Sequence, residues 1–338
     1  MMRRIESFSV VLVAVMTLIC IVSGHALAWP PVTIEDSSSR ESDKLRYPPP
    51  QLERPITINL GTGVTYNRLV DGQDYIVKMP AVKKVGTTTI EGGRNIVIIG
   101  GHVTLPVLLK ASGQPDVSNG AISRGIYIKN NHGIVHIEGL LVDATGGGMS
   151  DGIDISSPDS IVQIENVRVD GVFGFNHQFH ADVVQPFGGV KDLRIDKLTG
   201  FSAYQGLTIG RDLGPIGSAE ISRANLVCIH PQINGPGNNG GYMLWFTSHG
   251  GGPDTVYPLV LDEVYLQPRA GRTLGNSVWP PVGFAPCPAV IAADDSTATW
   301  PTIPQVKGCV KKGLPSQGDF VPVGIAGLKY ISPGYLNR

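Results

Sequence analysis

The feature that most constrains this chain is a phrase it repeats. Ile96-Val97-Ile98-Ile99-Gly100-Gly101, Ile134-Val135-His136-Ile137-Glu138-Gly139 and Ile161-Val162-Gln163-Ile164-Glu165-Asn166 match position for position. The run Gly189 to Asp196 echoes Val167-Arg168-Val169-Asp170, and Leu259 to Leu266 continues the series. A second set runs out of phase with the first: Arg124-Gly125-Ile126-Tyr127-Ile128, Asp151-Gly152-Ile153-Asp154-Ile155, His180-Ala181-Asp182-Val183-Val184, Gln205-Gly206-Leu207-Thr208-Ile209 and Tyr242-Met243-Leu244-Trp245-Phe246. Each unit therefore carries at least two short strands, and units recur mostly at about 25 to 29 residues. Short β-branched strands at that interval, separated by Gly, Asn, Asp and Ser turns and lacking a 3.6-residue period, predict a parallel β-solenoid. In such a fold one unit cannot bury its own apolar face, and stacking neighbours creates the core. A β-sandwich would account for the strands but not for the recurrence.

Composition narrows the function. The 338 residues are 42% hydrophobic and 16% charged, which excludes coiled coils and disorder. A net charge of -1 without a basic block argues against nucleic acid, whose phosphates demand clustered Lys and Arg.

The first residues form an address. Arg3 and Arg4 precede the apolar run Val10 to Val22, and Ala26-Leu27-Ala28 has the small-x-small form that a signal peptidase accepts. Residues 1–28 are thus expected to be a signal peptide, leaving an exported, soluble chain without stable membrane insertion, secreted or periplasmic. Cys20 follows Ile19 rather than a small residue and is not expected to carry lipid. Residues 29–55 are expected to run extended over the surface, 56–267 to form the solenoid, and 268–338 to fold back along it as a Pro-rich tail. In that tail Pro280, Pro281, Pro286, Pro288, Pro301 and Pro304 oppose regular central strands. A disulfide between Cys287 and Cys309 is expected there, closing a loop of about 20 residues for roughly 3 kcal/mol. Cys228 is expected to be a buried small hydrophobe.

Strand parity locates the chemistry. With Ile153, Ile155, Ala181 and Val183 pointing inward, Asp154, His180 and Asp182 point outward. Aligning the two units sets Asp154 beside Asp182, about 4.8 Å apart in backbone, with His180 about 7 Å along the strand. Two stacked carboxylates cannot both ionise cheaply, so one becomes a proton donor while the other stays a base, the division that glycosidic hydrolysis requires. The same pair could hold Ca²⁺. His177 and His180 have opposite parity, which argues against a transition metal. Asp151 and Asp154 can also be read as turn residues, whereas His180 and Asp182 fall mid-strand, where turn formation offers no explanation. His136 and Lys191 read as solvated face residues; His102, His132, His230 and His249 have no acidic partner nearby in sequence and are unassigned.

Over residues 56–267 the pattern resembles the pectin-lyase-like superfamily, which implies an all-β, single-stranded right-handed parallel β-helix. Ser150-Asp151-Gly152-Ile153-Asp154 is similar to the Asn-Thr-Asp motif of polygalacturonases, and His180-Ala181-Asp182 occupies the region of their Asp-Asp motif. Tyr204-Gln205-Gly206 to Gly210 resembles their Gly-His-Gly motif, with Gln205 in place of His. Asp151 carries over as a catalytic acid. The Asp-Asp pair, an Arg-Ile-Lys clamp and the Arg-x-Pro-x-x-Arg signature of pectate lyases are absent.

These readings converge on an exported enzyme that cleaves or modifies an extended polysaccharide, with Asp154 and Asp182 as acid and base and His180 shuttling or orienting. Tyr127, Tyr204 and Trp245 would stack on pyranose faces, and Gln205 and Arg211 would contact substrate, Arg211 pairing with a uronate if the sugar is acidic. No cofactor is required, with Ca²⁺ optional. Hydrolase and lyase chemistry both stay open, as does a non-catalytic surface or matrix protein using the same groove.

Overall fold

Aliphatic residues that recur at matched positions can bury themselves only by sitting on one another. In the computed structural model, which describes residues 44–107, 124–148, 151–174, 180–229, 241–250 and 252–334, they do so. Ile98, Ile137, Ile164, Ile195, Ile221 and Leu261 face one another across successive parallel pairings, and all are buried; this sets Ile96–Ile99 one residue out of the alignment expected with Ile134–Ile137, and pairs Arg194-Ile195-Asp196 with Gln163-Ile164-Glu165 and not with Arg168-Val169-Asp170. Each contributes roughly 1.5–3 kcal/mol by leaving water. The chain divides into two units, Met1–Glu41 and Ser42–Arg338, and every described residue lies in the second. Residues 1–28, expected to be a signal peptide, residues 29–43, Ser150, His177 and His230 lie outside the described residues.

The fold is all-β, and its strands form one large sheet paired almost entirely in parallel. Three ladders compose it. The first runs through Ile56–Asn59, Tyr75–Lys78, Ile96–Ile99 and Ile134–Glu138, then through parts of the longer strands Asp151–Val172, Val184–Ser202, Ile216–Cys228, Leu259–Gln267 and Val306–Lys312. The second runs through Thr65–Arg68, Thr88–Glu91, Arg124–Lys129, the starts of Asp151–Val172 and Val184–Ser202, then Leu207–Thr208, Leu244–Trp245 and Val278–Trp279. The third links Lys84–Val85, His102–Thr104 and Leu141–Asp143 to the later parts of the long strands.

One residue per rung turns the chain from the first ladder into the third. Gly100, Gly139, Asn166, Lys197, Arg223 and Glu263 all have φ between 48° and 67° and lie in register. A single left-handed residue bends a strand sharply while leaving the hydrogen bonds on either side in place.

The outward face of the first ladder is covered by both ends of the described chain. The backbone N–H groups of Arg46 and Tyr47 donate to Glu165, and the Arg46 guanidinium reaches Glu220 at 2.6 Å and Asp262 at 3.3 Å. From the other end, Tyr330 donates to Glu138 at 2.6 Å and Ser332 donates to its second oxygen at 3.0 Å, while Asp319 pairs with Arg168 of the third ladder at 2.8 Å. His136 is consequently fully buried between Gln163 and Glu138 rather than solvated, while Lys191 is exposed.

The tail departs from expectation in two respects. Val306–Lys312 follows the last of the prolines named above and pairs in parallel with Leu259–Gln267, so the ladders continue beyond residue 267. Cys287 and Cys309 are both free thiols, so the expected disulfide is not formed. The segment is held instead by strand pairing: Val306–Lys312 also pairs antiparallel with Thr297–Thr299, which pairs with Val290–Ile291. Cys228 is buried, as its apolar run predicts.

Candidate functional site

The site grows from the outward column of the second ladder. Its inward residues Ile126, Ile153, Val184, Leu207, Leu244 and Val278 stack in the core, which turns the alternate positions away from it. Tyr127 is therefore followed in register by Asp154 and Gln185, and Thr208 by Trp245 and Trp279.

This register corrects the expected one. Ile153 faces Val184 and Asp154 faces Gln185, so Asp154 is not directly opposite Asp182. The cause is local: His180 to Val183 precede the strand rather than lying within it, and Ala181, Val183 and Val184 are all buried, which breaks the period of two. The three carboxyl groups converge by another route. The Asp182 N–H donates to Asp151 Oδ1 at 3.0 Å, and the Gly152 N–H donates to the Asp182 carbonyl at 2.8 Å. Gly152 permits this approach, since a Cβ there would stand 2.6 Å from the Val183 carbonyl oxygen. Arg124 Nε donates to Asp154 Oδ2 and lies 3.9 Å from Asp151 Oδ2.

Burial then grades the acids. Asp154 and Asp182 have no exposed surface, contrary to the water-facing position expected of them, and Asp151, 3% exposed, is the member of the trio that borders the cleft. Burial raises the Asp151 pKa well above the usual carboxylate range, the charges of Asp182 and Asp154 raise it further, and the Asp182 N–H and Arg124 oppose them. Asp182 is pushed up to about 7, by burial first and by the Asp154 charge, with the Thr208 hydroxyl opposing. Asp154 is also raised by burial, and Arg124 restrains it. Asp154 Oδ1 and Asp182 Oδ2 are buried without a hydrogen-bond partner, which costs least when a group is neutral.

Thr208 connects this cluster to the cleft. Its hydroxyl contacts Asp182 Oδ1 and lies 3.2 Å from Gln205 Oε1, and it has one proton for two acceptors. A neutral Asp182 resolves the conflict by donating to Thr208, which then donates to Gln205.

Above the carboxyls lies a cleft of about 450 Å³. Arg124 and Asp151 border it together with Gln185, Gln205 and Thr208. His180 and Tyr204, stacked at 5.1 Å, border it too, as do the exposed side chains of Phe187 and Leu213. Trp245 continues into an aromatic group, stacked on Trp279 at 5.0 Å with Tyr242 edge-on to both at 5.5 and 5.4 Å. Asp212 and His249 complete the lining.

Of the residues singled out from sequence, Asp151, His180, Tyr204, Gln205 and Trp245 line the cleft, and Asp154 and Asp182 lie buried behind it. Tyr127 stacks under Arg124, its ring 4.9 Å from the guanidinium carbon, and is not part of the lining. Arg211 donates to the Ile216 carbonyl at 3.0 and 2.6 Å, packs over Tyr257 and does not line the cleft. Sequence reasoning passed over Arg124, Asp212 and His249. Arg124 heads the same phrase one unit before Asp151 and could have been found by that alignment; Asp212 and His249 belong to turns 37 residues apart and carry no repeat signal. Among the described residues no group of three or more His, Cys, Asp or Glu side chains is arranged to hold a metal ion, and no helix is long and apolar enough to cross a membrane.

No protein family, curated protein or solved structure matches this chain.

Proposed function

We propose that the chain is an exported right-handed parallel β-helix, of the pectin-lyase-like kind, that hydrolyses a polysaccharide lying in this cleft. The three parallel ladders, each gaining one rung as the chain advances, support the architecture. The observation that carries the activity is the carboxyl trio: Asp151 stands at the cleft wall with its N–H-bonded partner Asp182 and Asp154 buried behind it, and burial first raises its pKa well above the usual carboxylate range. A neutral carboxyl beside a leaving oxygen is the proton donor that glycosidic cleavage needs. In the reaction the Asp151 proton goes to the glycosidic oxygen as the bond from that oxygen to the anomeric carbon breaks, while a water oxygen bonds to that carbon and gives up one proton, so that one water is consumed. Tyr204 and Trp245 supply ring faces for the sugar, and Gln185 and Gln205 supply amides for its hydroxyls.

Hydrolysis is favoured over β-elimination by where the guanidinium groups are. Elimination needs the charge of a uronate neutralised. Arg124 is engaged by Asp154 and Asp151, and Arg211 by the Ile216 carbonyl. The test is a panel of neutral and acidic polysaccharides, digested with added Ca²⁺ and with chelator. Reducing ends should appear without the ultraviolet absorbance of an unsaturated uronate; that absorbance would replace this reading with a lyase. Specific binding with no cleavage of any polymer would favour the non-catalytic alternative, to which the burial of Asp154 and Asp182 and the Trp245–Trp279 stack lend support.

A further inference from the structure

A proton donor on one side of a bond leaves open what activates the water. The cleft holds one more acid and base in direct contact: His249 Nδ1 lies 3.0 Å from Asp212 Oδ2, and the His249 backbone N–H donates to the same carboxylate, 3.1 Å from Oδ1 and 3.2 Å from Oδ2. An ionised carboxylate can only accept, so Nδ1 carries the proton and Nε2 presents its lone pair. The ring is further fixed by Trp245, 4.4 Å away and edge-on, which belongs to the same cleft wall. Two contacts from one carboxylate, to the backbone and to the ring of the same residue, set both the place and the tautomer of the imidazole. The His249 side chain is 69% exposed, so Nε2 is open to water and its orientation is not needed to bury the core.

We propose that His249 is the general base of the cleft and that Asp212 is its positioning residue. This rests on the hydrolytic reading of the cleft and completes it. His249 Nε2 takes one proton from water as the water oxygen bonds to the anomeric carbon, and Asp151 gives its proton to the departing oxygen. The pair is then reset by loss of a proton from the imidazolium to solvent and gain of one by the Asp151 carboxylate. One water is consumed and no other reactant enters. The ionisable groups lining the cleft with His249 are Asp212, Asp151, Arg124, His180 and Tyr204. Of these, Asp212 is in contact with the ring and stabilises the imidazolium that forms.

Three variants of the full chain test this on whichever polysaccharide the wild type cleaves. His249→Ala should lower kcat by about 100-fold or more, with KM little changed and partial rescue by added imidazole. Asp212→Asn should lower kcat by about tenfold or more and move the acidic limb of the kcat profile to lower pH, because the imidazolium has lost its carboxylate. Asp151→Asn serves as the reference for the acid. If His249→Ala keeps kcat within about threefold of wild type while Asp151→Asn is inert, the dyad is overturned and the hydrolytic reading stands. If wild type cleaves nothing, both fall together. Nitrogen NMR of the His249 ring reads the geometry without turnover: a protonated Nδ1 in wild type, lost or weakened in Asp212→Asn, is expected, and a protonated Nε2 in neutral wild type contradicts the dyad.

Discussion

At the scale of single residues the site is governed by how deeply each acid is buried. Asp182, without exposed surface and with one oxygen unpartnered, has a folded pKa of about 7, above its ordinary value. For an acid raised in this way the sign is fixed: the folded state holds a proton that the unfolded state releases, so stability is complete below the unfolded pKa and is lost as pH rises through the folded one. Asp182→Asn cannot ionise, and its amide N–H replaces the carboxyl proton as the donor to the Thr208 hydroxyl. Its unfolding free energy should match that of wild type near pH 4 and exceed it by roughly 4 kcal/mol above pH 7. Urea titrations at the two pH values check this, and equal stabilities at both would show that Asp182 is ionised in the fold. Glu165 follows the same logic elsewhere, pushed up to about 8 by burial while the Tyr47 and Arg46 N–H groups oppose the shift.

At the scale of elements the recurring unit was legible and its register was not. The match of Ile137 with Ile164 is reproduced as a pairing, because inward residues can be satisfied only by stacking, whereas Ile96–Ile99 pairs one residue out of its expected alignment, Ile98 facing Ile137 and not His136. The offset between the Asp151 and Asp182 units was hidden, since Ala181, Val183 and Val184 are all apolar and parity alone does not say where the strand begins. The free Cys287 and Cys309 have a related cause: proline spacing hid the strand Val306–Lys312, whose pairing holds the tail. The corner between the first and third ladders provides a test at this scale. Glu263 is exposed and sits there at φ 53°, a conformation that costs an L side chain roughly 1 kcal/mol. Glu263→Gly should raise the unfolding free energy by about 0.5–1 kcal/mol and Glu263→Val should lower it by at least as much. Equal losses in both would mean that the Glu263 side chain, and not the bend, matters at this position.

At the scale of the whole molecule, repetition makes one row of outward positions into a continuous surface. Gln185, Thr208 and Trp245, far apart in the chain, meet on one cleft because they follow one another in that row, and Arg124 and Asp151, paired at the starts of their strands, border the same cleft. The ends of the described residues lie instead over the first ladder, where Arg46, Tyr47, Tyr330 and Ser332 cover its buried acids. The cleft is thus on a different ladder from the face that these four residues close. The most direct measurement is turnover by Asp151→Asn on a polysaccharide that the wild type cleaves, with binding and thermal unfolding followed on the same samples. Release of reducing ends should fall at least 100-fold while binding and the unfolding midpoint stay near wild type; turnover within a few-fold of wild type would rule Asp151 out as the proton donor.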